Sequence, residues 1–138
     1  MSSQKTQARE FALQYLYQTD LVKIYYFSQS HFSSFCEQNH IEESLGKILR
    51  TMVEGTLENL IKTDQTIKSH SKNWPLERMA SIDRAILRMA TYELLATQTP
   101  VKVILNEAIE LSKVYGSNES PSFINGVLDS IQKKIRSK

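Results

Sequence analysis

One cysteine, three prolines and four glycines in 138 residues exclude several classes of protein before any pattern is read. Cys36, being alone, can form neither an internal disulfide nor a multi-thiolate metal site, and it suits a reducing compartment. So few turn-forming residues leave an all-β fold short of the turns it needs. No apolar run approaches the roughly 20 residues that cross a bilayer, and "MSSQKTQARE" lacks the apolar core of a signal peptide. The expectation is a cytoplasmic protein with no membrane partner.

Catalytic patterns are equally scarce. There is no glycine-rich phosphate loop, nucleophile elbow or cysteine pair. His31, His40 and His70 lie in three separate stretches, away from the three- or four-residue spacing of a helical metal pair, so neither metal nor cofactor is expected. Glu107 and Glu110 read as a solvated helix face rather than an acid–base pair. No histidine is patterned as a base for Cys36. Nothing in these residues argues for an enzyme, and a net charge of +2 neither demands nor excludes nucleic acid.

What the chain has is helical periodicity. With 41% hydrophobic and 23% charged residues it reads as one globular domain over 1–138. Ala8, Phe11, Ala12, Tyr15 and Leu16 form one stripe and predict a helix from Gln4 to Leu21, with Ser2 or Ser3 as N-cap. Residues 22–40 are less regular, with a short helix over Gln29–Glu37. From Ile41 a single face runs through Leu45, Leu49, Met52, Val53 and Leu57 to Ile61. A short polar helix and a connector fill 64–74, and Trp74-Pro75 introduces a new element.

Ile82, Ile86, Met89, Ala90 and Leu94 mark the next helix, which Thr99-Pro100 ends. Ile104, Leu105, Ala108, Leu111 and Tyr115 mark another, stopped by Gly116 just past its C-cap. Ser120-Pro121 supplies an N-cap and first helical position for the last helix, which runs through Ile131. Asn125-Gly126 is a hairpin signal, yet Phe123, Val127 and Ile131 carry the helical period across it, so the hairpin is rejected. Gly55 and Gly126, both mid-helix, predict close approach of a neighbouring helix. The result is an all-α bundle of six or seven helices.

Binding chemistry is softer. Lys5 and Arg9, four apart on the first helix and near Tyr17, could meet phosphates while aromatics stack on bases; a solvated helix end is the competing reading. Tyr25, Tyr26 and Phe27 could be a stacking platform or a local core under a loop. Arg84 and Arg88, one turn apart, suit surface ion pairs as well as RNA.

Four blocks together are more specific: "AREFALQYLYQTD" (8–20), "DRAILRMATYEL" (83–94), "PVKVILNEAIELSKVYG" (100–116) and "FINGVLD" (123–129). In order and spacing they resemble the motifs of the bacterial transcription antitermination factor NusB family, over essentially the whole chain. The resemblance implies a compact all-α bundle of about seven helices in two packed helical subdomains, without catalytic activity. It implies binding of boxA, a single-stranded RNA element of ribosomal RNA leaders, jointly with NusE, a small-subunit ribosomal protein. The pair would act within the RNA polymerase antitermination complex.

Residue by residue, the family's arginine-rich first helix is represented only by Lys5 and Arg9 in "QKTQAR", a departure that removes phosphate contacts. Tyr17 and Asp83 match positions that meet NusE. Glu119 keeps an acidic position in the RNA-associated loop, and Phe123 is a candidate for contact with a base. Asn125 either caps or points toward RNA beside Phe123, and Ser122 stands where many relatives carry lysine. Two alternatives remain: an RNA-docking domain like that at the N-terminus of certain ribosomal RNA cytosine methyltransferases, or a homodimeric helical interaction module.

Overall fold

An amphipathic helix must bury its apolar stripe against another element, and the computed structural model buries these stripes in seven α-helices. It describes residues 3–136; Met1, Ser2, Ser137 and Lys138 lie outside the described residues, and with them the alternative of Ser2 as N-cap. The helices are α1 (Gln4–Val22), α2 (Gln29–Gln38), α3 (Glu43–Glu58), α4 (Leu60–His70), α5 (Ser81–Ala96), α6 (Val101–Tyr115) and α7 (Ser120–Ile135). One 3-10 turn, Leu76–Arg78, precedes α5. Among the described residues there is no strand, and no helix is long and apolar enough to cross a membrane.

The helices form two packed groups, α1–α3 and α4–α7, that share α5. This helix packs against α1, α3, α4, α6 and α7, and Ala85, Ile86, Leu87, Met89, Ala90 and Leu94 are buried around it. The less regular 22–40 stretch is held by aromatics: Tyr15 of α1 meets Phe35 edge-on at 5.2 Å and Phe32 at 5.8 Å between centroids. The Tyr25-Tyr26-Phe27 run divides. Phe27 packs beside Phe32 at 5.5 Å, while Tyr26 is exposed.

Local signals placed most helix ends. The Ser3 hydroxyl accepts the Thr6 amide at 3.1 Å to open α1, and the Ser28 hydroxyl accepts the His31 amide at 3.3 Å to open α2. Three signals had a different outcome. The continuous stripe from Ile41 is broken at Asn59, whose side-chain amide donates to the Gly55 carbonyl at 2.7 Å. The axis restarts at Leu60, leaving Ile61 80% exposed. Gly116 does follow α6, but with extended backbone (φ −96°, ψ −168°). Glycine is needed there for space, because a Cβ would collide with the Ser120 hydroxyl and the Ser112 carbonyl. Ser120 is the first residue of α7 and Glu119 holds the cap position, so the expected register is one residue late.

The two mid-helix glycines part company. At Gly55 a Cβ would overlap the Tyr92 ring, as close packing requires. At Gly126 nothing lies within 4 Å of the Cβ position and the residue is exposed, which overturns the expected close approach there. With no contact to protect, Gly126→Ala should stabilise the fold by about 0.5–1 kcal/mol through helix propensity and a stiffer unfolded chain. Urea unfolding reads this directly, and a loss of stability would restore a packing role for Gly126.

Candidate functional site

A long straight helix sets the layout. Lys5 and Tyr17, twelve residues apart on α1, stand about 18 Å apart at 1.5 Å rise per residue. Lys5 is exposed in the first turn. Arg9, one turn on, is only 3% exposed. Its Nε and a terminal nitrogen both donate to the Glu93 carboxylate at 2.8 Å, and its other terminal nitrogen reaches Glu107 at 3.4 Å. An arginine spent on two carboxylates presents no charge to a phosphate. The expectation that Arg9 is an RNA ligand therefore gives way to a structural role joining α1, α5 and α6.

The other nominated residues lie toward the end of α1, in the first turn of α5 and at the start of α7. Tyr17 is half-buried. Three residues on, Asp20 is buried and accepts from Arg84 of α5 at 2.6 and 3.0 Å and from the Tyr25 hydroxyl at 2.5 Å. Asp83, beside Arg84 in the first turn of α5, is 9% exposed and accepts the Ser120 hydroxyl at 2.6 Å. Ser120 in turn accepts the Ser117 amide at 3.0 Å, so Asp83 braces the α6–α7 loop. The expected partner contact is thus largely covered within the chain. Glu119 is exposed next to Ser120, and Phe123 is half-buried against the core one turn into α7. Asn125 is exposed, but residues two apart on a helix do not share a face, so it does not stand beside Phe123.

Sequence spacing gave no sign of the ion network here. Arg88 donates to Asp64 of α4 at 2.9 and 3.0 Å and approaches Asp20 at 3.4 Å. Both Arg84 and Arg88 are therefore tied up in ion pairs more buried than the surface pairs expected for them. Among the described residues no group of histidines, cysteines and carboxylates could hold a metal ion. His70 Nδ1 is 2.7 Å from the Ser130 hydroxyl, His31 stacks on Tyr15, and burial pushes the Cys36 thiol up, away from the nucleophilic thiolate.

Five helices packed around α5, with α2 held against α1 by aromatic contacts and buried ion pairs linking α1, α4, α5 and α6, define an all-α bundle. The model described as the NusB family matches residues 6–133, and the chain belongs to that family. It is 44% identical over 133 residues to transcription antitermination protein NusB of Anaeromyxobacter dehalogenans strain 2CP-1, covering 95% of this chain and 92% of the relative. It is 46% identical over 135 residues to that of Anaeromyxobacter sp. strain Fw109-5, covering 95% and 91%. The fold superposes on T. maritima NusB with a TM-score of 0.82 at 30% identity, covering 97% and 94% of the two chains. It also matches a structure of antitermination factors NusB and NusE in complex with dsRNA, at a TM-score of 0.83, 24% identity, and 97% and 99% coverage.

Two measurements test the ion pairs. Arg9→Ala strands Glu93 in the interior and should cost about 3–5 kcal/mol of stability. Replacing both Arg9 and Glu93 by Met should recover most of that loss; an Arg9→Ala protein of full stability would free Arg9 for another role. Burial alone would raise the Asp20 pKa, but hydrogen bonds from Tyr25 and Arg84 and the charges of Arg84 and Arg88 hold it below the ordinary 3.8. A lowered folded pKa gives stability that is full above the unfolded value and lost as pH falls through the folded one. The stability gap between wild type and Asp20→Asn should therefore be widest near neutrality and shrink below about pH 4, as read by urea unfolding across pH. A gap independent of pH would overturn the assignment.

Proposed function

We propose that this NusB-family chain is a cytoplasmic transcription antitermination factor, a binding protein and not an enzyme. It holds the boxA single-stranded RNA of ribosomal RNA leaders as a heterodimer with NusE, and so promotes processive elongation by RNA polymerase. The observation that carries the reading is the family match over residues 6–133, which contains every nominated site residue except Lys5. The relatives' shared name, transcription antitermination protein, and the solved complex of NusB and NusE with dsRNA support it.

In this reading Glu119 and Phe123 form the RNA edge, with Phe123 half-exposed for stacking against a base. Tyr17 faces NusE. Asp83 acts by holding the α6–α7 loop through Ser120. Lys5 meets a phosphate from the far end of α1, and Asn125 contributes from a separate face of α7. The sparse charge makes partnership necessary: each phosphate contact that is missing weakens binding to a single strand, and a partner restores surface and charge. By linkage, RNA must then tighten the protein pair by the same factor.

Labelled boxA RNA titrated into the protein at moderate salt should bind more tightly once NusE is added. No gain from NusE would sink the cooperative mechanism. A homodimer that neither RNA nor NusE dissociates would favour the interaction-module alternative.

A further inference from the structure

The start of α1, α3, the end of α5 and the start of α6 enclose a cavity of about 670 Å³, within the roughly 300–1,000 Å³ of small-ligand pockets. Its walls are mainly apolar: Ile48 and Met52 of α3, Pro100 and Val103 at the start of α6, and the ring of Tyr92. That ring lies against Gly55, where a side chain would collide with it, so α3 fixes its position. Burial, with Glu93 and Glu58 nearby, raises the Tyr92 pKa and keeps the phenol protonated. Arg9 and Glu93, both buried, close the inner side and are spent on each other. Three polar ends are left over. The Tyr92 hydroxyl has no hydrogen bond among the described residues, and Lys5, at the exposed rim, has no ion pair among them. Glu107 gives one oxygen to Arg9 at 3.4 Å and keeps the other uncommitted.

We infer that this cavity receives one unstacked nucleotide of the RNA, its base beside Tyr92 and its phosphate on Lys5. The inference rests on the RNA-binding reading above and adds a base contact that none of the nominated residues supplies. Single-stranded RNA offers splayed bases that stack on aromatic side chains. The charges set the orientation. The Glu107 carboxylate turns a phosphate away, toward Lys5, and as a pure acceptor it takes an N–H from the base. Adenine, cytosine and guanine each carry an exocyclic amine suited to it. The helix α6 joins this cavity to the RNA-associated loop: Glu107 reaches Arg9 of α1, and Tyr115, about two turns on, donates to Glu10 just before residues 116–119. From Val103 to Tyr115 is about 18 Å along α6 at 1.5 Å per residue. About five stacked nucleotides cover that distance at 3.4 Å each. A strand that touches both Phe123 and Lys5 therefore reaches the mouth of the cavity.

The test crosses RNA variants with protein variants in the presence of NusE. Labelled boxA RNA is made with one base removed at a time, and each strand is titrated into wild type, Val103→Trp and Ile61→Trp. Val103 and Ile61 are both exposed on helix surfaces, so neither tryptophan displaces the core, which thermal unfolding verifies; only the first fills the cavity. Removing the base that enters the cavity should weaken binding to wild type and to Ile61→Trp by about tenfold, the scale of one stacked base. The same removal should leave binding to Val103→Trp unchanged, because that variant has already lost the contact. Thr51→Trp, which fills the cavity from α3, should behave as Val103→Trp does. If no position's effect depends on residues 51 and 103, or if Ile61→Trp shows the same loss, the nucleotide site is overturned while RNA binding stands. A wild type that binds no RNA overturns both readings together. Adenosine monophosphate titrated into the free protein separates the sources. If it shifts Tyr92 and Val103 resonances while no RNA position couples to the cavity, the site holds a free nucleotide and the RNA assignment falls.

Discussion

Two sets of buried ion pairs at opposite ends of one helix contact fix how this chain can fold. Near its start α1 offers a cation, Arg9, to Glu93 near the end of α5; near its own end it offers an anion, Asp20, to Arg84 near the start of α5. Charge is antisymmetric along both helices, so only the antiparallel arrangement satisfies it. A parallel docking would set Arg9 against Arg84 and Arg88 and leave Asp20 facing Glu93, and a slide of one helix along the other would part both pairs. An unpaired buried charge is far more costly than the net gain of a paired one. These pairs therefore add modestly to stability and heavily to orientation and register. The apolar contacts of α1 with α5 would tolerate more than one arrangement without them.

That constraint reaches outward through α5. Arg88 carries the network to Asp64 and positions α4, while Glu107 adds α6 to the Arg9 pair. Arg136, just after α7, donates to the carbonyls of Glu93, Leu94, Thr97 and Thr99 and so seals the last turn of α5 and the turn beyond it. Helix termini leave carbonyls without intrahelical partners, and here a single guanidinium from the far end of the chain satisfies several of them. Each end of α5 is thereby specified by groups from other helices.

The helices were legible in the sequence because their signals are local. A period of 3.6, a serine before a stripe and a proline after one are read within a few residues, and they located six helix bodies closely and the start of α4 only roughly. What failed had no local signature. Arg9 and Glu93 are separated by 84 residues, and Asp20 and Arg84 by 64, so no spacing marks either pair. Arg9 looked like an RNA ligand because a lysine and an arginine one turn apart resemble a basic stripe; periodicity shows that a residue shares a face with Ala8 and Ala12 only approximately, not that its head group finds an acid there. Asn59 kept the hydrophobic stripe intact on paper while its side chain bonded the Gly55 carbonyl and ended the helix. Gly126 failed in the opposite sense: glycine inside a helix signals either crowding or indifference, and only the space around its Cα tells which.

The burial of Arg9 also changes how the family resemblance is to be used. A basic residue at a matching position has two possible employers, an internal acid or an external phosphate, and the fold fills the internal post first because the protein must satisfy its interior to exist. Once Arg9 is spent, Lys5 is the remaining exposed cation of residues 3–10. The start of α1 is then too weakly charged to hold a single strand by itself, since each phosphate contact contributes separately to counterion release. In the proposed function, affinity is then assembled from dispersed parts, Phe123 and a protein partner among them. On that proposal the arrangement trades strength in isolation for dependence on assembly, because a weakly charged surface gains affinity only from what binds beside it.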